Sequence, residues 1–281
     1  MKRLTAILLL ISLALGLAAC GGEPEPTPDP HEGMIYVNTG AGEEWVDEAG
    51  GVPVSQLSES DFETGEDGIP VYTGDVYETR LGIDVSFYQG DIDWQAVADA
   101  GIEFAMIRCG YRGSSEGELF VDEKFEQNMQ GAIDAGLDVG VYFFSQSMGA
   151  IEAAEEALFV LDLIKDYDIS MPVAFDWEPL EDSRAEDIND EELTASALVF
   201  CEMIKDAGYT PCVYFYRYIA YHDYDLSRLA DFLFWIGTRG VELEVHVHFG
   251  VYAVYAARTG TLTDRGLVVE FRGRAGAAAP A

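Results

Sequence analysis

Residues 104–145 read FAMIRCGYRGSSEGELFVDEKFEQNMQGAIDAGLDVGVYFFS, and this stretch decides the fold class. Phe104 to Cys109 is apolar apart from Arg108, and Val139 to Ser145 is a second apolar run; both have the length of a strand. Asp122 to Ala135 between them reads as an amphipathic helix. Gly136 follows it, where a residue free to take positive φ ends helices. Strands joined by a helical crossover lie parallel, because tight turns join only antiparallel strands.

The same unit repeats outward in both directions. Upstream, Leu81 to Ser86 predicts a strand and Trp94 to Ala100 a helix closed by Gly101. Downstream, a helix over Ile151 to Lys165 precedes a strand over Met171 to Trp177. A helix over Asp190 to Ala207, closed by Gly208, precedes strands over Pro211 to Tyr216 and Phe232 to Gly237. Strands apolar along nearly their whole length are covered on both faces. The expectation is an α/β fold. A closed barrel and an open doubly wound sheet both fit the pattern. The chain has neither a GxGxxG fingerprint nor a P-loop, which counts against nucleotide binding.

Composition narrows the partners. With 16 Lys+Arg against 51 Asp+Glu the formal charge is -35. That argues against nucleic acid, whose phosphates need a basic surface, and against a basic patch on anionic lipid. The first residues form their own unit. Lys2 and Arg3 precede an apolar run from Leu4 to Leu17 and then Leu17-Ala18-Ala19-Cys20-Gly21-Gly22. The run is short for a membrane span and ends in small residues, as a signal peptide does. Its end resembles the lipobox of bacterial lipoproteins, which implies lipidation of Cys20 and cleavage before it. From Gly21 to Glu78 there are fifteen acids, no Lys or Arg, and prolines at 24, 26, 28 and 30. Such a segment repels itself and is expected to be a flexible linker spanning roughly 40 Å as a random coil. Part of it, such as Ile69 to Tyr77, is placed against the folded domain. Cys109, Cys201 and Cys212 are expected to be buried thiols, with a Cys201–Cys212 bridge as the alternative.

Catalytic groups of barrel enzymes sit at the C-terminal ends of strands. The first strand offers Asp84 there, and the fourth offers Asp176-Trp177-Glu178. Positions i and i+2 of a strand share a face, so Asp176 and Glu178 project together and Trp177 turns away. Paired carboxylates suit glycoside hydrolysis: one protonates the leaving oxygen and the other, charged, supports the oxocarbenium-like centre. Crowded acids raise one another's pKa, which supplies the protonated member. Acid-x-acid pairs recur in this chain, for example Asp91/Asp93 and Glu242/Glu244. What separates Asp176/Glu178 is its place at the end of the apolar run Pro172 to Phe175.

Several ordered motifs resemble the family-25 lysozymes (N-acetylmuramidases). They are Gly82-Ile83-Asp84-Val85-Ser86 with Gln89-Gly90 and Ile92-Asp93-Trp94, then Phe104 to Arg108 with Gly110-Tyr111, Val141 to Ser145, Asp176-Trp177-Glu178, and Phe234-Trp235-Ile236. The resemblance runs from about Leu81 to Gly237. It implies an incomplete TIM-like (β/α)5(β)3 barrel. It implies cofactor-free and metal-free hydrolysis of the β-1,4 bond between N-acetylmuramic acid and N-acetylglucosamine. Under it Glu178 is the general acid, Asp176 orients the substrate acetamido group or stabilises positive charge, and Asp84 tunes Glu178. Tyr142, Tyr214 and Trp235 become sugar contacts, with core packing as the alternative. Arg108 becomes a substrate contact or a structural partner of the acids. The alternative function is a catalytically impaired peptidoglycan-binding lipoprotein, or a glycosidase acting on another N-acetylated glycan.

The domain reading is then a lipoprotein signal peptide over 1–19, an acidic linker over 20–79, the hydrolase barrel over 80–271, and a tail over 272–281. The expected partners are peptidoglycan strands and, through Cys20, the outer face of the cell membrane; the protein is expected to be monomeric. After Thr238 the sequence departs from the family pattern. From Arg239 onward there are five Arg against four acids, and counting from Gly260 puts Glu270 where the family carries a further active-site Asp. His246 and His248 alternate as on one strand face, which is more consistent with polar strand positions than with a metal pair.

Overall fold

The computed structural model describes residues 29–38, 42–47, 52, 59–64, 70–238, 252–255 and 266–273, the last two segments as backbone. Two short hairpins come first: β1 (Met34–Asn38) with β2 (Glu43–Asp47), and β3 (Phe62–Thr64) with β4 (Pro70–Tyr72). There follow β5 (Tyr77–Val85), α1 (Trp94–Asp99), β6 (Phe104–Arg112), β7 (Leu119–Val121), α2 (Phe125–Asp134), β8 (Asp138–Ser145) and α3 (Ala150–Ile164). Then come β9 (Val173–Trp177), α4 (Asp190–Asp206), β10 (Pro211–Tyr216), α5 (Arg217–His222), α6 (Leu226–Leu229), β11 (Leu233–Thr238), β12 (Tyr252–Tyr255) and β13 (Gly266–Gly273).

The main sheet runs β5-β13-β12-β11-β10-β9-β8-β6, and a further β5–β6 pairing joins its two ends. Eight strands therefore close on themselves, and the open doubly wound alternative falls. Neighbours in the ring are parallel except β13, which is antiparallel to both β12 and β5. β7 adds to β6 only at Gly110–Arg112, beyond the stretch that pairs with β5. The glycines read as helix stops, Gly101, Gly136 and Gly208, all have positive φ.

Strand parity divides the apolar residues into two sets. Phe104, Met106, Ala174, Cys212, Tyr214 and Trp235 pack inside the ring. Their odd–even partners, such as Ala105, Ile107, Phe175, Val213 and Phe234, pack outside it against the helices. α3 buries Ala153, Ala157, Val160 and Ile164, and α4 buries Leu193, Ala197, Phe200 and Ile204. Both sets follow the i, i+4, i+7, i+11 spacing of one helix face. Each fully buried Phe or Leu of this kind contributes roughly 1.5–3 kcal/mol. Small residues make room inside the ring: a Cβ at Gly82 would strike the Phe104 ring, and one at Gly140 would meet Pro172 O at 2.6 Å. At the N-terminal end of the strands Arg80 bonds Asp138 at 2.5 Å and lies over the Phe104 ring. Among the described residues the interior is therefore filled at this end.

The acidic segment 20–79 carries more structure than its composition suggests. His31 stacks on Trp45 with ring centroids 3.9 Å apart, and Val46 and Val52 are buried. His222 Nε2 lies 3.1 Å from Glu44 Oε1, which ties the first hairpin to α5. A few aromatic and branched residues suffice to order hairpins among charges that remain in solvent. The expected signal peptide, Cys20, His246 and His248 lie outside the described residues. Cys109, Cys201 and Cys212 are buried and free, so the bridge alternative falls. Among the described residues no helix is long and apolar enough to cross a membrane.

Candidate active site

The C-terminal ends of the strands enclose a cavity of about 260 Å³ lined by Asp84, Tyr142, Asp176, Glu178, Tyr214, Tyr216 and Trp235. Three acids from two strands thus meet in one space. Asp84 is the penultimate residue of β5, Asp176 lies in β9, and Glu178 follows that strand's end. Trp177 belongs to the outer core, as the period of two requires. Asp176 stands level with Phe144 of β8 and Tyr214 of β10, and Tyr214 stands level with Trp235.

Aromatic rings form the wall. Trp235 meets Tyr214 at 4.9 Å and Tyr142 at 5.8 Å, both edge to face. Among the described residues Trp235 Nε1 and Asp176 Oδ1 are buried without a hydrogen-bond partner. Both atoms belong to residues that line the cavity. Tyr216, 40% exposed, stands at the mouth and hydrogen-bonds Glu178.

All three carboxyls are shifted the same way. Asp84 is pushed up to about 6, mainly by burial, with its own backbone N–H opposing and the Glu178 charge adding. Asp176 stands well above the usual carboxylate range because it is buried and faces Glu178 and Asp84; Arg108 opposes the shift. Burial raises Glu178 also, against the hydrogen bond from Tyr216. Like charges this close titrate as a group, and the group retains protons at pH values where isolated carboxyls are ionised. An acid able to donate a proton stands beside acids able to carry charge.

Arg108 is placed differently from the sugar-contact option. Its Nε donates to Asp122 Oδ2 at 2.8 Å, and its guanidinium lies 4.9 Å from the Phe87 ring centroid. Asp122 is buried and also accepts from Phe87 N and Lys124 N. Arg108 is thus held by an ion pair, is not among the residues lining the cavity, and opposes the shift of Asp176 through its charge. The sequence reading took Asp122 as a helix start and missed this pair. It missed Tyr216 as well, although Tyr216 is i+2 from Tyr214 and shares its face by simple parity. Glu270 is not brought to the acids by the backbone. The β13–β5 register sets it opposite Arg80 and sets Gly266 opposite Asp84. Four residues of strand separate those levels, roughly 13 Å at 3.3 Å per residue.

A second cavity, about 360 Å³, lies over the β6–β7 hairpin between Tyr111, Phe120, Phe144 and Leu180. It contains none of the three clustered acids, so the chemistry belongs to the smaller space.

Residues 83–246 match the profile of the glycosyl hydrolases family 25. The chain belongs to that family. Over 151 residues this family-25 chain is 30% identical to Lysozyme M1 of Streptomyces globisporus, covering 54% of this chain and 44% of that protein. Over 160 residues it is 27% identical to the autolytic lysozyme of Clostridium acetobutylicum, covering 57% and 45%. The chain thus spans less than half the length of these two curated relatives. Among solved structures, a family 25 glycosyl hydrolase from Bacillus anthracis aligns with a TM-score of 0.57 at 22% identity, over 78% of this chain and 95% of that one. The modular autolysin LytC of Streptococcus pneumoniae, in complex with a synthetic peptidoglycan ligand, aligns at 0.60 and 21% identity over 85% and 56%. At these identities the alignments establish the shared fold.

Proposed function

We propose that this family-25 chain is an N-acetylmuramidase that cuts the β-1,4 bond between N-acetylmuramic acid and N-acetylglucosamine in peptidoglycan. The observation that carries the reading is the convergence of Asp84, Asp176 and Glu178 in one aromatic-walled cavity with all three pKa values raised. Glu178 protonates the glycosidic oxygen as the bond to the anomeric carbon breaks. Asp176 orients the acetamido group or stabilises the positive charge that develops, and Asp84 tunes Glu178 through its field. Tyr142, Tyr214 and Trp235 offer ring faces and edges to the pyranose, and Tyr216 joins them at the entrance.

Purified cell walls test this directly. Wild type clears a wall suspension, and Glu178→Gln lowers the rate at least about a hundredfold, the scale of losing a general acid, with its melting temperature unchanged or higher. Mass analysis of the fragments shows N-acetylmuramic acid at the new reducing end; N-acetylglucosamine there would assign the enzyme to a different bond. Equal clearing by wild type and Glu178→Gln would refute the assignment.

The β13 register favours a second reading, a catalytically impaired wall-binding protein, because Gly266 rather than an acid stands level with Asp84. Retention on insoluble walls without fragment release would support it. We further propose that Cys20 carries a lipid anchor and that the acidic segment holds the barrel outside the membrane, within reach of the wall. Cys20→Ala should then move the protein from the membrane fraction to the medium or periplasm.

A further inference from the structure

Glu178 projects from a place where the sheet has run out. The β8–β9 ladder ends with Ser145 opposite Trp177, and the β9–β10 ladder ends one residue earlier, with Asp176 opposite Tyr214. A backbone carbonyl beyond the last rung and away from water needs another partner. Gln146, the residue after β8, supplies it. Its Nε2 donates to Glu178 O at 2.9 Å and to Ser145 O at 2.9 Å. The side chain has no exposed surface, and among the described residues its Oε1 has no hydrogen-bond partner. Two carbonyls on one side fix the amide's orientation, since a flipped amide would set oxygen against oxygen. This orientation keeps the bond to Glu178 O.

Gln146 is itself held in place. Arg184 donates to Gln146 O at 3.3 Å and grips the Glu152 carboxylate through both terminal nitrogens at 2.6 Å. Its own backbone N–H donates to Ser114 O at 2.8 Å. Arg184 lies in the same β9–α4 connection that carries Glu178, so that connection is tied to the end of β8 at two points.

We propose that Gln146 is a positioning residue for Glu178: its side-chain amide provides the rung the sheet lacks after Trp177 and fixes the main chain from which the acid enters the cavity. The role rests on the muramidase reading for its effect on rate, but the placement of Glu178 is measurable without substrate.

The experiment compares wild type, Gln146→Leu and Gln146→Glu. The Glu178 carboxyl is titrated by carbon NMR, with Glu178→Gln identifying its signal. Separately, kcat and KM are measured over pH on solubilised peptidoglycan strands. Gln146→Leu removes the donor at similar volume. Its Glu178 titration should fall toward the ordinary carboxylate range as the segment loosens and the carboxyl gains water. Its kcat should drop about ten- to a hundredfold, the cost of displacing a catalytic group by about an ångström, with KM changing less. The basic limb of its rate profile should move to lower pH. Gln146→Glu adds a carboxyl whose charge would itself raise the Glu178 titration, so its readout is kcat relative to wild type, low at neutral pH and recovering as acid protonates the new carboxyl and restores a donor. Folded Gln146→Leu with unchanged Glu178 titration, kcat and limb would overturn the proposal. If Gln146→Leu does not fold, a Gln146→Glu variant whose kcat relative to wild type stays the same from neutral to acid pH would overturn it equally. Wild type that releases no fragments would count against the muramidase reading alone, because the titration shift decides the placement without substrate.

Discussion

Replacing Asp84 by Asn should stabilise the protein at neutral pH while harming its function. The pKa of Asp84 rises from 3.8 in the unfolded chain to about 6 in the folded one. The folded state therefore holds a proton that the unfolded chain has already released. Stability falls as pH rises from about 4 to about 6 and stays lower above that window. At 1.36 kcal/mol per unit, the ionised carboxylate costs the fold up to about 3 kcal/mol at pH 7, less where solvent reaches the cleft. Asparagine keeps the shape, keeps an acceptor for the residue's own N–H and removes the charge. Urea unfolding midpoints measured at pH 7 and at pH 3.5 provide the assay. Asp84→Asn should be more stable than wild type by about 1–3 kcal/mol at pH 7, with most of the gap closed at pH 3.5, where the folded wild type is protonated and the unfolded chain largely so. Wall clearing should fall in the same variant. A gap that is the same at both pH values, or a destabilised variant at pH 7, would refute the claim that burial and the Glu178 charge strain Asp84.

Two further perturbations follow from named contacts. Tyr216→Phe removes the hydroxyl that hydrogen-bonds Glu178 and holds its pKa down against burial; the basic limb of the rate profile should move to higher pH, and a limb that stays or moves lower would contradict the contact. Arg112→Met leaves Glu156 buried without the guanidinium that now donates to it at 2.7 Å. Burial already pushes Glu156 up to about 7, so the loss, about 3–5 kcal/mol for a broken buried pair, should appear in full at pH 8 and shrink at pH 6. Equal losses at the two pH values would show that the charge of Glu156 is not involved.

Much of the site was legible because strands have a period of two. The parity argument that puts Asp176 with Glu178, and turns Trp177 outward, needs nothing beyond the backbone geometry of β9. The same parity could have found Tyr216 from Tyr214. Arg108 was not legible in this way. Its partner, Asp122, lies fourteen residues on, across the β6–β7 hairpin, and only the folded chain shows that pair closing. Counting along the sequence placed Glu270 with the acids. The count gave a position along the chain but could not give the register of β13 against β5, which sets that residue level with Arg80. The acidic segment misled through its average: fifteen acids without a cation read as linker, yet His31, Tyr36, Trp45 and Val46 order a hairpin within it.

The sequence by itself determined the alternation of strand and helix, the parallel strands, and the strand ends at which Asp84 and Asp176-Trp177-Glu178 stand. Those properties are local, set by apolar periodicity and by glycines that stop helices. Tertiary structure alone decided that the sheet closes through β5–β6, that the three acids share one cavity, and that Gln146 reaches the Glu178 carbonyl. Closure and convergence depend on pairings between residues far apart in the chain. Their energies come from burial and from charges facing one another, and neither quantity exists until the strands have met.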